Sequence, residues 1–239
     1  MAESEILKRE DGAVLLVNPA FQQAVTQKWF DPEYWGSQAL PVGSGGRGGA
    51  WFIDAADNQL VLREYLRGGL VSHLSRRTYA YFGEQHVRSF AEFRILNHMA
   101  ALALPVPLPV AAWYKKVSRF GYRAAIVIER IPRAVPLADR IGKLDSADWS
   151  QLGNTVRRFH DAGVRHADLN CFNVLVVDNE FFLIDFDKGR IMPKNASRSR
   201  WQEDNLNRFS RSLRKVASDA VLRQVWDAFL QGYKRSMSS

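Results

Sequence analysis

His166-Ala-Asp-Leu-Asn-Cys-Phe-Asn-Val-Leu-Val-Val-Asp-Asn-Glu-Phe-Phe-Leu-Ile-Asp-Phe-Asp187 is the stretch whose reading decides the fold. Two apolar runs, Val174–Val177 and Phe181–Ile184, flank Asp178-Asn179-Glu180, which predicts a short β-hairpin. Polar residues gather at its ends: His166, Asp168, Asn170 and Asn173 before it, Asp185 and Asp187 after it. The far ends of a hairpin lie side by side, so Asn173 is expected close to Asp185. An amide oxygen and a carboxylate held together are hard ligands that suit Mg²⁺ carrying a polyphosphate. Asp168, one short loop upstream, is placed to accept a proton from an attacking hydroxyl.

This order resembles the protein-kinase-like catalytic centre. His166-x-Asp168-x-x-x-x-Asn173 has the spacing of the H-R-D-L-x-x-x-N loop, and Asp185-Phe186-Asp187 stands where D-F-G would be. The alternative is a polar loop before an ordinary surface hairpin. Ala167, Asn170 and Asp187 replace the arginine, lysine and glycine of that pattern and argue against a regulated protein kinase. Two readings stand for Asp187, orienting the metal site or capping the next turn.

The 239 residues suffice for one catalytic unit of two small lobes, and 46% hydrophobic with 24% charged residues is the composition of a folded domain. No apolar run approaches the ~18 residues of a membrane span, and the first ten residues do not read as a secretory signal. The single cysteine, Cys171, excludes an internal disulfide, fits a reducing cytoplasm and reads as a small filler rather than a nucleophile. Net charge is +8, and the excess is local: Lys188–Lys215 holds nine Lys/Arg against Glu203 and Asp204. Such a field suits a polyanion: anionic lipid, phosphorylated glycan or nucleic acid.

Upstream, a strand is expected at Ala13–Val17, and Trp29, Phe30, Tyr34 and Trp35 either pack on the core or touch a membrane interface. Five glycines, Gly43, Gly45, Gly46, Gly48 and Gly49, lead into a strand at Trp51–Ala55, and a second strand follows at Leu60–Leu66. Glycines let backbone N–H groups approach phosphate oxygens, although a flexible turn would use the same residues. No lysine occurs anywhere from Trp29 to Tyr114, and Arg63 occupies the strand-cation position. A guanidinium there clamps phosphate oxygens bidentately, or is simply a surface arginine. Helix periodicity over Ser89–Leu102 carries Glu92, placed either to orient that cation or to face solvent. Strands at Val110–Lys116 and Tyr122–Ile131 follow, and backbone groups from Glu129 to Ile131 stand where an adenine edge would bind. Helices are expected at Ser146–Asp161, with Ser146 as N-cap, at 203–216 and at 218–234. The second of these should bury Leu206, Phe209, Leu213 and Val216 and turn Arg208, Arg211 and Lys215 outward.

Arg63 in V-L-R-E-Y, Glu92 in A-E-F-R-I-L, H-A-D-L-N-C-F-N-V-L and L-I-D-F-D-K-G-R together resemble the lipopolysaccharide kinases of Gram-negative bacteria, the 3-deoxy-D-manno-octulosonic acid (Kdo) kinases in particular. The resemblance runs from about Gly43 to the C-terminus. It implies an α+β, bilobal protein-kinase-like fold, with residues 1–130 as N-terminal region and β-rich nucleotide-binding lobe and 131–239 as helical catalytic lobe. It implies ATP-dependent phosphorylation of a Kdo hydroxyl on a lipid A precursor, by a peripheral protein at the cytoplasmic face of the inner membrane. An anionic membrane surface, and no nucleic acid, would then be the partner of the basic field. The implied roles are Gly43, Gly45, Gly46 and Gly48 over the phosphates, with Arg63 oriented by Glu92 on their oxygens. Glu129 and Ile131 would meet the adenine, Asn173 and Asp185 would hold Mg²⁺, Asp168 would be the base and His166 would brace the loop. A kinase for a protein or soluble substrate, and a non-catalytic nucleic-acid-binding scaffold, are the alternatives; the intact Asp168, Asn173 and Asp185 weigh against the scaffold.

Overall fold

The computed structural model describes residues 5–43, 49–55, 58–66, 77–193 and 198–235. Gly45, Gly46 and Gly48 lie outside them. The strands are β1 (Ile6–Glu10), β2 (Ala13–Val17), β3 (Ala39–Pro41), β4 (Ala50–Ala55), β5 (Asn58–Glu64), β6 (Tyr79–Ala80), β7 (Pro109–Ser118), β8 (Gly121–Glu129), β9 (Val135–Pro136), β10 (Val164–Arg165), β11 (Val174–Val177), β12 (Glu180–Leu183) and β13 (Arg190–Ile191). The α-helices are α1 (Pro32–Trp35), α2 (Arg88–Ala101), α3 (Ser146–Asp161), α4 (Arg198–Leu213) and α5 (Asp219–Arg235). Two units result, one of residues 1–97 and 107–130, the other of 98–106 and 131–239.

The first unit is built on an antiparallel sheet in the order β1-β2-β7-β8-β5-β4-β3, with β6 also pairing with β8. β2 and β8 are long apolar runs because both lie inside this sheet, with Leu15, Val17, Ile126 and Val127 at most 1% exposed. β1 was not expected. Its Ile-Leu-Lys-Arg-Glu carries too few apolar residues to announce a strand, and it forms the polar edge beside β2. Trp29, Phe30 and Trp35 join the core cluster with Leu60 and Leu62, whereas Tyr34 is half exposed. The N-terminal aromatics are thus mostly packing residues.

In the second unit α3 and α5 pack most extensively. Their backbones approach so closely that a Cβ on Gly153 would sit 2.0 Å from the Phe229 carbonyl oxygen, and one on Gly232 1.7 Å from that of Ser150. Only glycine admits that approach. α3 begins at a capping box in which Asp145, rather than Ser146, is the N-cap: its carboxylate accepts from Ala147 and Asp148 N–H, while Asp148 accepts from Asp145 N–H. β11 pairs with β12 and β9. The β11–β12 hairpin turns through Asp178 and Asn179, both at positive φ (42° and 69°), as a two-residue type I′ connection requires.

Candidate active site

The hairpin brings its polar ends together as its pattern predicts. Ile184 N–H donates to the Asn173 carbonyl at 3.0 Å, so Asp185 follows directly beside Asn173. Asp185 itself adopts a left-handed backbone (φ 62°), a strained conformation for a non-glycine residue that recurs at functional sites. The Asn173 amide nitrogen donates to the Asp168 carbonyl at 3.0 Å, which leaves its Oδ1 as the atom for a cation. Asn170 tightens the loop: its Oδ1 accepts from Phe172 N–H and Asn173 N–H, and its Nδ2 donates to the Asp168 carbonyl.

His166 is buried, and its partners fix its tautomer. Nε2 donates to the Ile184 carbonyl at 2.9 Å, while Nδ1 accepts from Asp168 N–H at 3.0 Å. Burial pushes its pKa down, so the ring is neutral, and it packs against Phe186 with centroids 4.6 Å apart. A neutral imidazole therefore ties the loop before the hairpin to the strand end after it. Asn205 of α4, 4% exposed, holds the His166 backbone from the other side, accepting from its N–H and donating to its carbonyl. Sequence reading passed over Asn205; the signal was a polar residue within a stripe at spacing four, Trp201, Asn205, Phe209 and Leu213, all buried. Val216, expected inside, is 41% exposed because α4 ends at Leu213 and Val216 lies in the turn beyond it, and Leu206 is only half-buried because the buried stripe passes through Asn205 instead.

A pocket of about 620 Å³ opens beside this loop, lined by Asp168, Asn170, Phe172, Asn173, Asp185, Arg208, Arg211, Ser212 and Lys215. Asp187 lies outside that lining and is half-buried. The cations expected to face away from the core do so, but into this pocket: Arg208 Nη1 lies 2.9 Å from Asp168 Oδ1. Cys171 is buried, its N–H bonded to Ser212 Oγ, and burial pushes its thiol pKa up, so it is packing and not a nucleophile.

The first unit holds the other expected residues. Glu92 is 3% exposed and its Oε2 is bonded to both Arg63 Nη2 and the Tyr65 hydroxyl. A buried carboxylate needs such partners, and the solvated alternative for Glu92 falls away. The Arg63 guanidinium also lies 5.1 Å from the Tyr65 ring centre. Gly43 has φ 83°, the left-handed region that favours glycine, and Gly49 closes the same loop by accepting from Glu64 N–H at 2.7 Å. Glu129 N–H is bonded to the Leu108 carbonyl and Arg130 N–H to that of Gln59, so a ligand at Glu129 would meet its carbonyl.

The sequence model of the lipopolysaccharide kinase (Kdo/WaaP) family matches residues 32–233. The chain belongs to that family. It is 45% identical over 219 residues to the 3-deoxy-D-manno-octulosonic acid kinase of Stenotrophomonas maltophilia (strain K279a), covering 90% of this chain and 85% of the relative. The kinase of the same name from Xanthomonas euvesicatoria pv. vesicatoria (strain 85-10) is 44% identical over 207 residues, 86% and 81% of the two chains. Among solved structures, WaaP in complex with acyl carrier protein superposes with a TM-score of 0.57 at 15% identity, over 92% of this chain and 88% of that one. That likeness concerns the fold, which is α+β and protein-kinase-like as the spacing of His166, Asp168 and Asn173 suggested. As a member of the Kdo/WaaP family the chain is a kinase of lipopolysaccharide biosynthesis with a hydroxyl acceptor.

Proposed function

We propose that this kinase transfers the terminal phosphoryl group of ATP to a hydroxyl of the Kdo sugar on a lipid A precursor. The observation that carries the reading is the grouping of Asp168, Asn173 and Asp185 around one pocket, set by hydrogen bonds of the hairpin and its preceding loop. Asp168 is exposed, and with one oxygen on Arg208 it keeps the other for the proton of the acceptor hydroxyl. Accepting that proton as the oxygen attacks phosphorus is worth roughly 10²–10⁴-fold. His166 acts through position alone, since both ring nitrogens are spent on backbone groups.

Asn173 Oδ1 and the Asp185 carboxylate fit Mg²⁺. Among the described residues no cluster of three His, Cys, Asp or Glu forms a protein-only cage. Two hard oxygens suit an ion that completes its shell with phosphate and water. Bound there, Mg²⁺ would neutralise charge on the phosphates. In the first unit Arg63 is the candidate for the phosphate oxygens, held by buried Glu92, with Gly43, Gly45, Gly46 and Gly48 supplying backbone N–H groups. The Glu129 carbonyl and the Ile131 backbone are the candidate adenine contacts.

The same reading makes the protein peripheral to the cytoplasmic face of the inner membrane, where a lipid-anchored acceptor resides. No described helix is long and apolar enough to cross a membrane. Phe82 and Phe120 are 76% and 70% exposed on neighbouring chain segments joined by Tyr81 N–H to the Phe120 carbonyl. Lys116 and Arg119 lie against the adjoining rings, of Tyr81 and Phe120. Exposed aromatics rimmed by cations suit an anionic interface.

The test is mass spectrometry of a Kdo-bearing lipid A precursor incubated with the protein, ATP and Mg²⁺. A shift of one phosphate on the Kdo sugar is expected. Phosphate on a protein or a soluble sugar, with the glycolipid untouched, would overturn the acceptor.

A further inference from the structure

We propose that Arg211 and Lys215, with Arg208 between them and the base, form a subsite for the carboxylate of the acceptor sugar. The inference rests on the reading of the acceptor as a sugar acid and goes beyond it by assigning the residues that select it. Positions 208, 211 and 215 recur at three and four residues along α4 and the turn that continues it, so they share one face. That face is a wall of the pocket that contains Asp168. Arg208 is committed to Asp168 at 2.9 Å. Arg211 and Lys215 line the same pocket, and among the described residues neither has a carboxylate partner.

Two cations directed into a concave site raise the local concentration of an anion there. In the proposed mechanism the donor already has counter-charges of its own, Arg63 and the ion on Asn173 and Asp185. The cations of α4 gather instead beside the residue that takes the acceptor proton. A carboxylate held there by charge-assisted hydrogen bonds would fix the sugar with one hydroxyl toward Asp168. Phe172, 56% exposed in the same pocket, offers an apolar surface to the ring carbons.

The experiment uses the full chain, wild type and the Arg211→Gln/Lys215→Gln double variant. KM is measured for ATP, for the Kdo-bearing lipid A precursor, and for the same precursor with its Kdo carboxylate converted to a carboxamide. Both acceptors keep the lipid phosphates, so the comparison isolates the sugar carboxylate. Wild type should prefer the carboxylate by about tenfold or more. The double variant should lose most of that preference and keep its ATP KM and its melting temperature. Arg211→Lys, which keeps the charge, should restore part of it. An undiminished preference in the double variant would overturn the subsite, as would a rise confined to the ATP KM, which would give these cations to the donor. Failure of wild type to phosphorylate either acceptor would overturn the acceptor itself, a result distinct from a loss of discrimination.

Discussion

Arg208 Nη1 lies 2.9 Å from Asp168 Oδ1, across forty residues of chain. The contact places the most basic segment of the protein against its proposed catalytic base. A cation on one carboxylate oxygen fixes the rotamer of Asp168, and the second oxygen is presented to the pocket.

Asp168→Ala should abolish transfer and leave nucleotide binding nearly intact, because the carboxylate acts on the acceptor. A fall of roughly 10²–10⁴-fold in kcat is expected. Retention of more than about a tenth of wild-type turnover would remove Asp168 from the role of base. Arg208→Gln should lower kcat as well, and by less, since it disturbs the orientation of the base without deleting it.

Asp185→Ala should remove the Mg²⁺ dependence of ATP affinity, because a hard divalent ion loses its charged ligand. Titration of ATP binding against Mg²⁺ checks this, with Asp187→Ala as comparison. Asp187 lies outside the pocket lining, so its variant should titrate like wild type. The reverse pattern would assign the ion to Asp187.

Half-buried Arg63 and buried Glu92 form an ion pair, and they separate charge from geometry. Arg63→Lys keeps the charge but loses the planar fork, and it should bind ATP poorly if two phosphate oxygens are clamped. Glu92→Gln leaves Arg63 charged and removes the carboxylate on which it rests. Its ATP KM should rise while its acceptor KM holds. Wild-type ATP affinity in both variants would make Arg63 a bystander.

His160 gives the fold a definite acid response. It is 2% exposed, its Nδ1 is 2.7 Å from the Tyr233 hydroxyl, and burial pushes its pKa down to about 4. The unfolded chain takes up this proton near an ordinary pKa of about 6.5. Stability is therefore full above about pH 6.5 and is lost as pH falls toward about 4, by an amount on the order of 3 kcal/mol. His166, also pushed down by burial, acts in the same direction. Thermal melts from neutral pH downward should show this loss, and His160→Gln should flatten it. Parallel pH profiles for the two proteins would contradict the assignment.

Gly232→Ala should destabilise the second unit without touching the pocket. Its Cβ would fall 1.7 Å from the Ser150 carbonyl oxygen, so α3 and α5 must separate. Overpacking of this kind costs about 1–3 kcal/mol or more, read as a lower urea midpoint. An unchanged midpoint would mean that the two helices part without cost.

The His166–Asn173 loop, the hairpin and the bounds of α3 were legible in the sequence because each depends on short-range rules. Alternation and a two-residue turn fix which ends of β11 and β12 meet, and a 3.6-residue period fixes which face of α3 is buried. The burial of Glu92 against Arg63 and Tyr65, the grip of Asn205 on His166, and the turn of Arg208 toward Asp168 were not legible. Each joins groups 27 to 40 residues apart in sequence. The rotation of α4 about its axis, set by where Trp201, Phe209 and Leu213 find their core, decides whether a basic face looks to open solvent or into a pocket. A helical pattern specifies that such a face exists. What lies opposite it is decided only when the helix packs, because that neighbour comes from a distant part of the chain.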